Sequence, residues 1–431
     1  MWITLKLFTG ILRVIHMVIL LRKPLFFNEK GLFNIFTPPT TNTTNYLYII
    51  YIIFLKGVIH IMKIICSKSN LLKGVNIVSK AVPSKTTMVI LECILIDATT
   101  GSIKLTANDM ELGIETRIEG DVLEKGFIAL DAKIFSEIVR KLPDNDVIIE
   151  TDSNLQTTIT CEKAKFHICG KSGEDFSYLP YVEREDSIEV SQFTLKEVIR
   201  QTIFSIADNE NNKLMTGELF EVADGMLKVV SLDGHRISIR KVELKEAYPF
   251  KKVIVPGKTL IEISKILSGD TESMVNIFFT SNHILFEFDQ TTVVSRLIEG
   301  EYFRINQMLS SDYETKIKIN KKEFLSCIDR ATLLVKEGDK KPIIIDINDE
   351  GMKLQINSQL GSMKEEIDIQ KEGKDILIGF NPKFLIDALR VIDDELVTLY
   401  MVNPKAPCFI KDEKESYTYL ILPVNFNNAA R

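Results

Sequence analysis

The 431-residue chain is 45% hydrophobic and 26% charged, a globular composition, and at roughly 100–200 residues per domain its length implies two to four domains. Its formal net charge of −6 excludes general basicity as a means of holding nucleic acid, so an anionic partner must be met by a local patch.

Residues 1–61 differ from the rest of the chain: they hold six Lys/Arg against one Glu, the apolar runs VIHMVILL and YLYIIYIIFL, and the polar tract TPPTTNTTN. Arg13, His16, Arg22, Lys23 and Lys56 interrupt those runs, and neither reaches the ~18 uncharged residues of a membrane-spanning helix. A secretory leader would end in a small-residue cleavage site, and none follows a well-formed apolar region. The segment is therefore expected not to be part of the mature protein, with translation beginning at Met62; a targeting or membrane-contact extension is the alternative. Without it, 47 basic residues face 58 acidic ones over 62–431, a net of −11. The cysteines at 66, 93, 161, 169, 327 and 408 form no C-x-x-C pair, which reads as buried free thiols in a reducing compartment.

From Met62 onward the predicted elements come in three rounds. The first runs from strand MKIICS (62–67) through a helical pattern at 71–82, a hairpin turning at Gly101, strand FIAL (127–130) and helix KIFSEIVRKL (133–142) to strand VIIE (147–150). The second has strand SIEVS (187–191), a helix at 195–207, a hairpin at Gly225, strand KVIVP (252–256), helix KTLIEISKIL (258–267) and strand VNIFF (275–279). The third repeats the order with TKIKIN (315–320), a helix at 323–335, Gly351, ILIGF (376–380), KFLIDALRVI (383–392) and LVTLYM (396–401). Capping boxes are expected at Thr194-x-x-Glu197 and Asn320-x-x-Glu323. Lys133, Lys258 and Lys383 are spaced 125 residues apart, far beyond a solenoid period, so each copy should own a core. The fold expected is α+β: three repeated domains at 62–187, 188–312 and 313–431, each with two helices packed on antiparallel sheet.

In the three aligned helices, columns 0, 4 and 7 share one face and columns 2, 5 and 9 the other. The apolar face should pack on the sheet. The opposite face carries Lys133/Arg140, Lys258/Lys265 and Lys383/Arg390, and the first helices add Lys73, Lys80, Lys196, Arg200, Lys321, Lys322 and Arg330, with Lys85 beyond the first of them. A mixed-charge face on one helix is ordinarily a solvated face with weak pairs. Six such helices in an acidic chain point instead to a surface that neutralises phosphates without reading bases.

The segment 62–426 resembles the bacterial β sliding clamps, the processivity subunits of replicative DNA polymerases, most specifically in LTANDMELGI (105–114), FSEIVRKLP (135–143), SLDGHRISI (231–239), VIVPGKTLIEI (253–263), IGFNPKFLIDAL (378–389) and the terminal LPV. The resemblance implies a subunit forming half of a six-domain ring, a head-to-tail homodimer that encircles duplex DNA in the cytoplasm. It also implies no catalysis, cofactor or metal, and partners comprising the polymerase subunit, the clamp loader and other proteins carrying clamp-binding motifs. Carried over by motif, the peptide pocket would be lined by Met215, Leu232, Gly234, His235, Arg236, Ile237, Met308, Leu422, Pro423 and Val424. A Met-lined cleft suits apolar anchors because Met repacks around different shapes. His235 reads equally well as a packed turn residue after Asp233-Gly234. Leu232 stands where the family commonly has Thr, YFRIN (302–306) lacks the usual Pro, and Asn425 replaces a common Arg.

Enzyme signatures fail on inspection. GKS at 170–172 imitates the end of a P-loop, but Lys165 occupies the position of its first Gly. DGHR (233–236) offers no readable nucleophile, and the five His and six Cys lack metal-ligand spacing. The alternatives to a clamp are a triplicated protein-only scaffold, or a metal-dependent nuclease for which clustered acids would be needed.

Overall fold

The computed structural model describes residues 60–185, 187–208, 212–309, 312–336 and 341–426. The apolar runs of the first 59 residues lie outside these, and the first described strand, His60–Ser67, begins two residues before Met62. The three rounds appear as three similar units. Each contributes two helices: α1 (Lys68–Val78) and α2 (Ala132–Lys141), α3 (Gln192–Thr202) and α4 (Gly257–Ile266), α5 (Lys321–Thr332) and α6 (Pro382–Val391).

The helix starts follow from polar caps that accept an orphan amide. Ser67, Asp131, Ser191, Asn320 and Asn381 each cap a helix with the side chain, whereas α4 opens after Pro256 without one. Asn320 accepts from the Glu323 amide, as the capping pattern predicts. The other expected box is corrected: Ser191, not Thr194, caps α3, and the Thr194 amide donates to it at 3.1 Å. The helix begins earlier because strand Ser187–Ser191 runs directly into it, leaving Ser191 as the last extended residue.

The column pattern holds in every second helix. Phe135, Ile138 and Leu142, then Leu260, Ile263 and Leu267, then Leu385, Ala388 and Ile392 are buried. Lys133, Arg140, Lys258, Lys265, Lys383 and Arg390 are exposed. Five cysteines are buried, and burial pushes the Cys66, Cys327 and Cys408 thiols up to about 12. Cys169 departs from the expectation of burial, being exposed on strand Ala164–Cys169, which has a sheet neighbour on one side only.

The strands form four antiparallel sheets, of five, eight, nine and four strands. The two large ones cross between units. Strand Leu112–Ile118 of the first unit pairs with Thr291–Arg296 of the second, from Leu112↔Ser295 to Thr116↔Thr291. Strand Arg236–Glu243 of the second pairs in the same way with Tyr417–Ile421 of the third, from Arg236↔Ile421 to Arg240↔Tyr417. The units are therefore joined by backbone ladders, whose hydrogen bonds do not depend on side-chain identity.

Among the described residues, all six α-helices pack on one side of these sheets, in the main cores around Phe135, Phe220 and Phe286 and around Phe324 and Phe380. On the other side lie the connecting segments. Leu179 and Val182 cover Phe278, Leu285 and Val294 at the first junction. Tyr302 and Ile305 cover Leu219, Val230, Ile239, Phe409 and Leu420 at the second.

Candidate nucleic-acid interface and peptide pocket

The helices form an unbroken row. Ser136 of α2 lies 3.4 Å from Ser79 at the end of α1. Between α1 and α4 opens a cleft of about 640 Å³ lined by Lys68, Lys73, Lys80 and Lys265, with Asp144 as its one acid. Lys196 of α3 donates to the carbonyl of Leu267 at the end of α4, at 3.0 Å. Arg200 of α3 reaches Asp393, just past α6, at 2.9 Å, and Lys321 of α5 donates to the carbonyl of Ile392 at 2.6 Å. The spatial order is α2, α1, α4, α3, α6, α5, and it runs through both junctions.

The predicted cations divide by what they touch. Among the described residues, Lys73, Lys80, Lys85, Lys133 and Lys383 have no carboxylate within ion-pair distance, so their charge is available to an anion. Arg140 pairs with Glu137 at 2.5 Å, Lys265 with Glu262 at 2.7 Å, Lys258 with Asp109 at 2.5 Å and Arg390 with Asp329 at 3.5 Å, all with the cation largely exposed. Such pairs are worth about 0–1 kcal/mol and exchange readily for a phosphate. Lys196 and Lys321 are half-buried and each satisfies a helix-end carbonyl, and Arg200 is held by Glu197 and Asp393 together, which raises its pKa. Arg330 pairs with Glu365 on the strand Gly361–Ile367, toward the far end of the row. Lys68 completes the cleft and escaped the sequence reading; its place at the first turn of α1, before the apolar columns begin, hid it.

At the second junction the structure gathers Met215, Leu232 and Ile237 in one apolar cluster, with Leu232 and Ile237 almost fully covered. Met308 follows Ile305 of the same cluster and is 47% exposed, and Leu422 is 36% exposed. The Leu422 amide donates to the His235 carbonyl at 2.9 Å and the Val424 amide to the Gly379 carbonyl at 2.8 Å. The terminal Leu422-Pro423-Val424 is thereby strapped beside the turn that holds Gly234, whose φ of +87° is the left-handed conformation glycine tolerates. His235 is exposed, with its ring 5.9 Å from that of Phe384.

Arg236 faces inward. Its guanidinium donates to Asp233 at 2.9 Å, Asp387 at 2.6 Å and the Phe204 carbonyl at 2.5 Å, and lies over the rings of Phe384 and Phe204 at 4.6 and 5.4 Å. It bolts the second unit to the third beside that apolar cluster. Phe204, Phe384 and Asp387 were not singled out from sequence, though the signal existed: position one of the aligned helices reads Ile134, Thr259, Phe384, and the aromatic breaks the column. Among the described residues no cluster of three or more His, Cys, Asp or Glu could hold a metal ion, and no helix is long and apolar enough to cross a membrane.

A triplicated α+β chain joined by shared sheets, with a basic helix row on one side and an apolar seam on the other, defines the class. Its three units match the N-terminal (62–180), central (189–303) and C-terminal (306–425) domains of the DNA polymerase III beta subunit. The chain is 35% identical over 375 residues to the beta sliding clamp of Staphylococcus aureus, covering 84% of this chain and 99% of that one. It superposes with a TM-score of 0.83 and 74% identity on a crystal structure described as a DNA polymerase III beta subunit from Eubacterium rectale, covering 85% of this chain and all of that one. The sliding clamp of Bacillus subtilis matches with a TM-score of 0.82 at 34% identity, over 85% of this chain and all of that one. The chain belongs to the DNA polymerase III beta subunit family of sliding clamps.

Proposed function

We propose that two copies of this chain close head to tail into a ring around duplex DNA, and that the seam at the second junction receives linear segments of the polymerase, the clamp loader and other partners. The reading is of a non-catalytic clamp that confers processivity. The observation that carries it is the helix row with an unmatched joint at each end. In each unit the strand that follows the glycine-turn hairpin and pairs with its second strand, Leu112–Ile118, Arg236–Glu243 or Gly361–Ile367, is one half of a joint. The last strand of each unit, Ala164–Cys169, Thr291–Arg296 or Tyr417–Ile421, is the other half. Two joints are made within the chain; Gly361–Ile367 and Ala164–Cys169 remain, each at the edge of its sheet.

A second copy supplies the complement to both, because a repeated head-to-tail joint generates a ring when its rotation closes. Apolar surface attends both edges: Phe166 is 38%, Leu333 77% and Leu360 54% exposed. Closing the ring brings α5 of one copy beside α2 of the other and continues the row. The domain limits in this scheme are 187/188 and 312/313. With DNA as its track, the protein acts in the cytoplasm.

Topological linkage predicts salt-resistant retention on circular DNA and loss from linear DNA by sliding off the ends. Equal retention on both would overturn the ring. Replacing Lys133, Lys258 and Lys383 by Glu should weaken direct DNA binding at low salt and flatten its salt dependence; unchanged binding would favour a protein-only scaffold. Met308→Asp with Leu422→Ser should abolish polymerase stimulation while dimerisation, followed by ultracentrifugation, survives.

A further inference from the structure

The outer face of the second junction extends past the peptide pocket. Along strand Arg236–Glu243, residues 237, 239 and 241 project on one face because side chains alternate. Ile237 belongs to the pocket. Ile239 and Lys241 line a separate cleft of about 330 Å³, floored by Leu309 and Phe409. Leu309 directly follows Met308, so pocket and cleft are neighbours.

Three lysines ring this floor, Lys228, Lys241 and Lys411. The side chains of Lys228 and Lys411 are only 17% and 16% exposed, their stems laid on apolar surface. Two carboxylates answer them: Glu221, 3.6 Å from Lys228, and Glu415, 2.8 Å from Lys411 and 3.7 Å from Lys241. Lys228 also donates to Asn306 at 3.3 Å. Three lysines thus share two carboxylates, and Glu415, which serves both Lys241 and Lys411, projects from a residue at φ +51°, a backbone conformation side-chain-bearing residues rarely adopt.

Building on the peptide pocket proposed above, we infer that this cleft is a second subsite, which takes an acidic side chain of the same bound segment three to four residues from its apolar anchor. The spacing follows from the strand, since Ile237 to Lys241 spans about 13 Å of extended chain. Carboxylate meets ammonium in charge-assisted hydrogen bonds above an apolar floor. Glu415 is the intramolecular carboxylate with which the segment competes.

The test uses the full chain and fluorescent, end-capped peptides: a parent Ala-Leu-Ser-Leu-Phe, and versions extended by Gly-Glu-Glu at either end, titrated by anisotropy at low salt. The parent should bind, and one extended peptide should bind about tenfold tighter, a gain that falls several-fold in 0.5 M salt. Lys228→Gln with Lys241→Gln and Lys411→Gln should remove the gain and leave the parent's affinity intact, which also shows that the variant is folded. Glu415→Gln should enlarge the gain. A parent that binds with no gain from either extension, or a gain that survives the triple variant, overturns the subsite. A parent that fails to bind overturns the pocket reading instead.

Discussion

The two internal junctions start from the same turn and finish differently. In the first, one oxygen of Asp109 accepts the amides of Glu111 and Leu112; in the second, Asp233 accepts those of His235 and Arg236. Both turns put their next residue in left-handed backbone, Met110 at φ +75° and Gly234 at φ +87°. The free oxygen of Asp109 takes an exposed lysine from the neighbouring unit, Lys258. The free oxygen of Asp233 takes Arg236 of its own turn, which stands where the first junction has the buried Leu112 and which then reaches Asp387 of the neighbouring unit. One backbone plan thus accepts either a surface ion pair or a buried cation. The buried cation makes the second junction dependent on charge, and it is there that the proposed pocket lies.

The largest expected effect tests that dependence. Arg236→Met leaves Asp233, Asp387 and the Phe204 carbonyl without their donor and should destabilise the protein by about 3–5 kcal/mol in chemical unfolding, as removal of one partner from a buried pair does. A loss below about 1 kcal/mol would make the two junctions equivalent.

Next comes Glu218, buried with neither carboxylate oxygen hydrogen-bonded, opposite Val255, where the corresponding residues of the other units are Ile94 opposite Leu130 and Ile343 opposite Phe380. Desolvation pushes its carboxyl up to about 8. Its folded value lies above the unfolded one, so the native state holds the proton longer. Stability should therefore fall as pH rises from about 4.5 to 8 and level off above. Glu218→Gln should abolish that slope and stabilise the protein by about 3 kcal/mol at pH 7, read from Tm against pH. The smallest effect belongs to the first junction: Lys258→Met should change stability by less than about 1 kcal/mol, because the ammonium it removes from Asp109 is solvent-exposed.

Most of the architecture was legible because it was written three times. A single amphipathic helix leaves its register open, but Phe135, Leu260 and Leu385 in one column and Lys133, Lys258 and Lys383 in another fix which face is buried, and the structure bears this out. Local competition was harder to read. Thr194 satisfies the capping pattern as well as Ser191 does, and only the end of the preceding strand decides between them. Cys169 shares the outward parity of Lys165 and His167 on its strand and pairs with exposed Gln156, so register rather than residue type decides its exposure. Motif resemblance places Arg236 with the pocket lining, and its inward bonding is not legible there because its partners, Phe204 and Asp387, lie 32 and 151 residues away. Lys196 and Lys321 share the pattern of the free lysines, and it takes the helix-end carbonyls in space to tell them apart.

The connecting segments that pass across the outer sheet face have a mechanical meaning. Each internal joint is clasped twice, by its ladder and by the strap of chain crossing it, and the polypeptide itself tethers the two sides. A joint assembled between separate copies would possess the ladder without the tether. In the ring proposed above, prising the copies apart would meet its least resistance at that untethered seam, while the interior joints would hold.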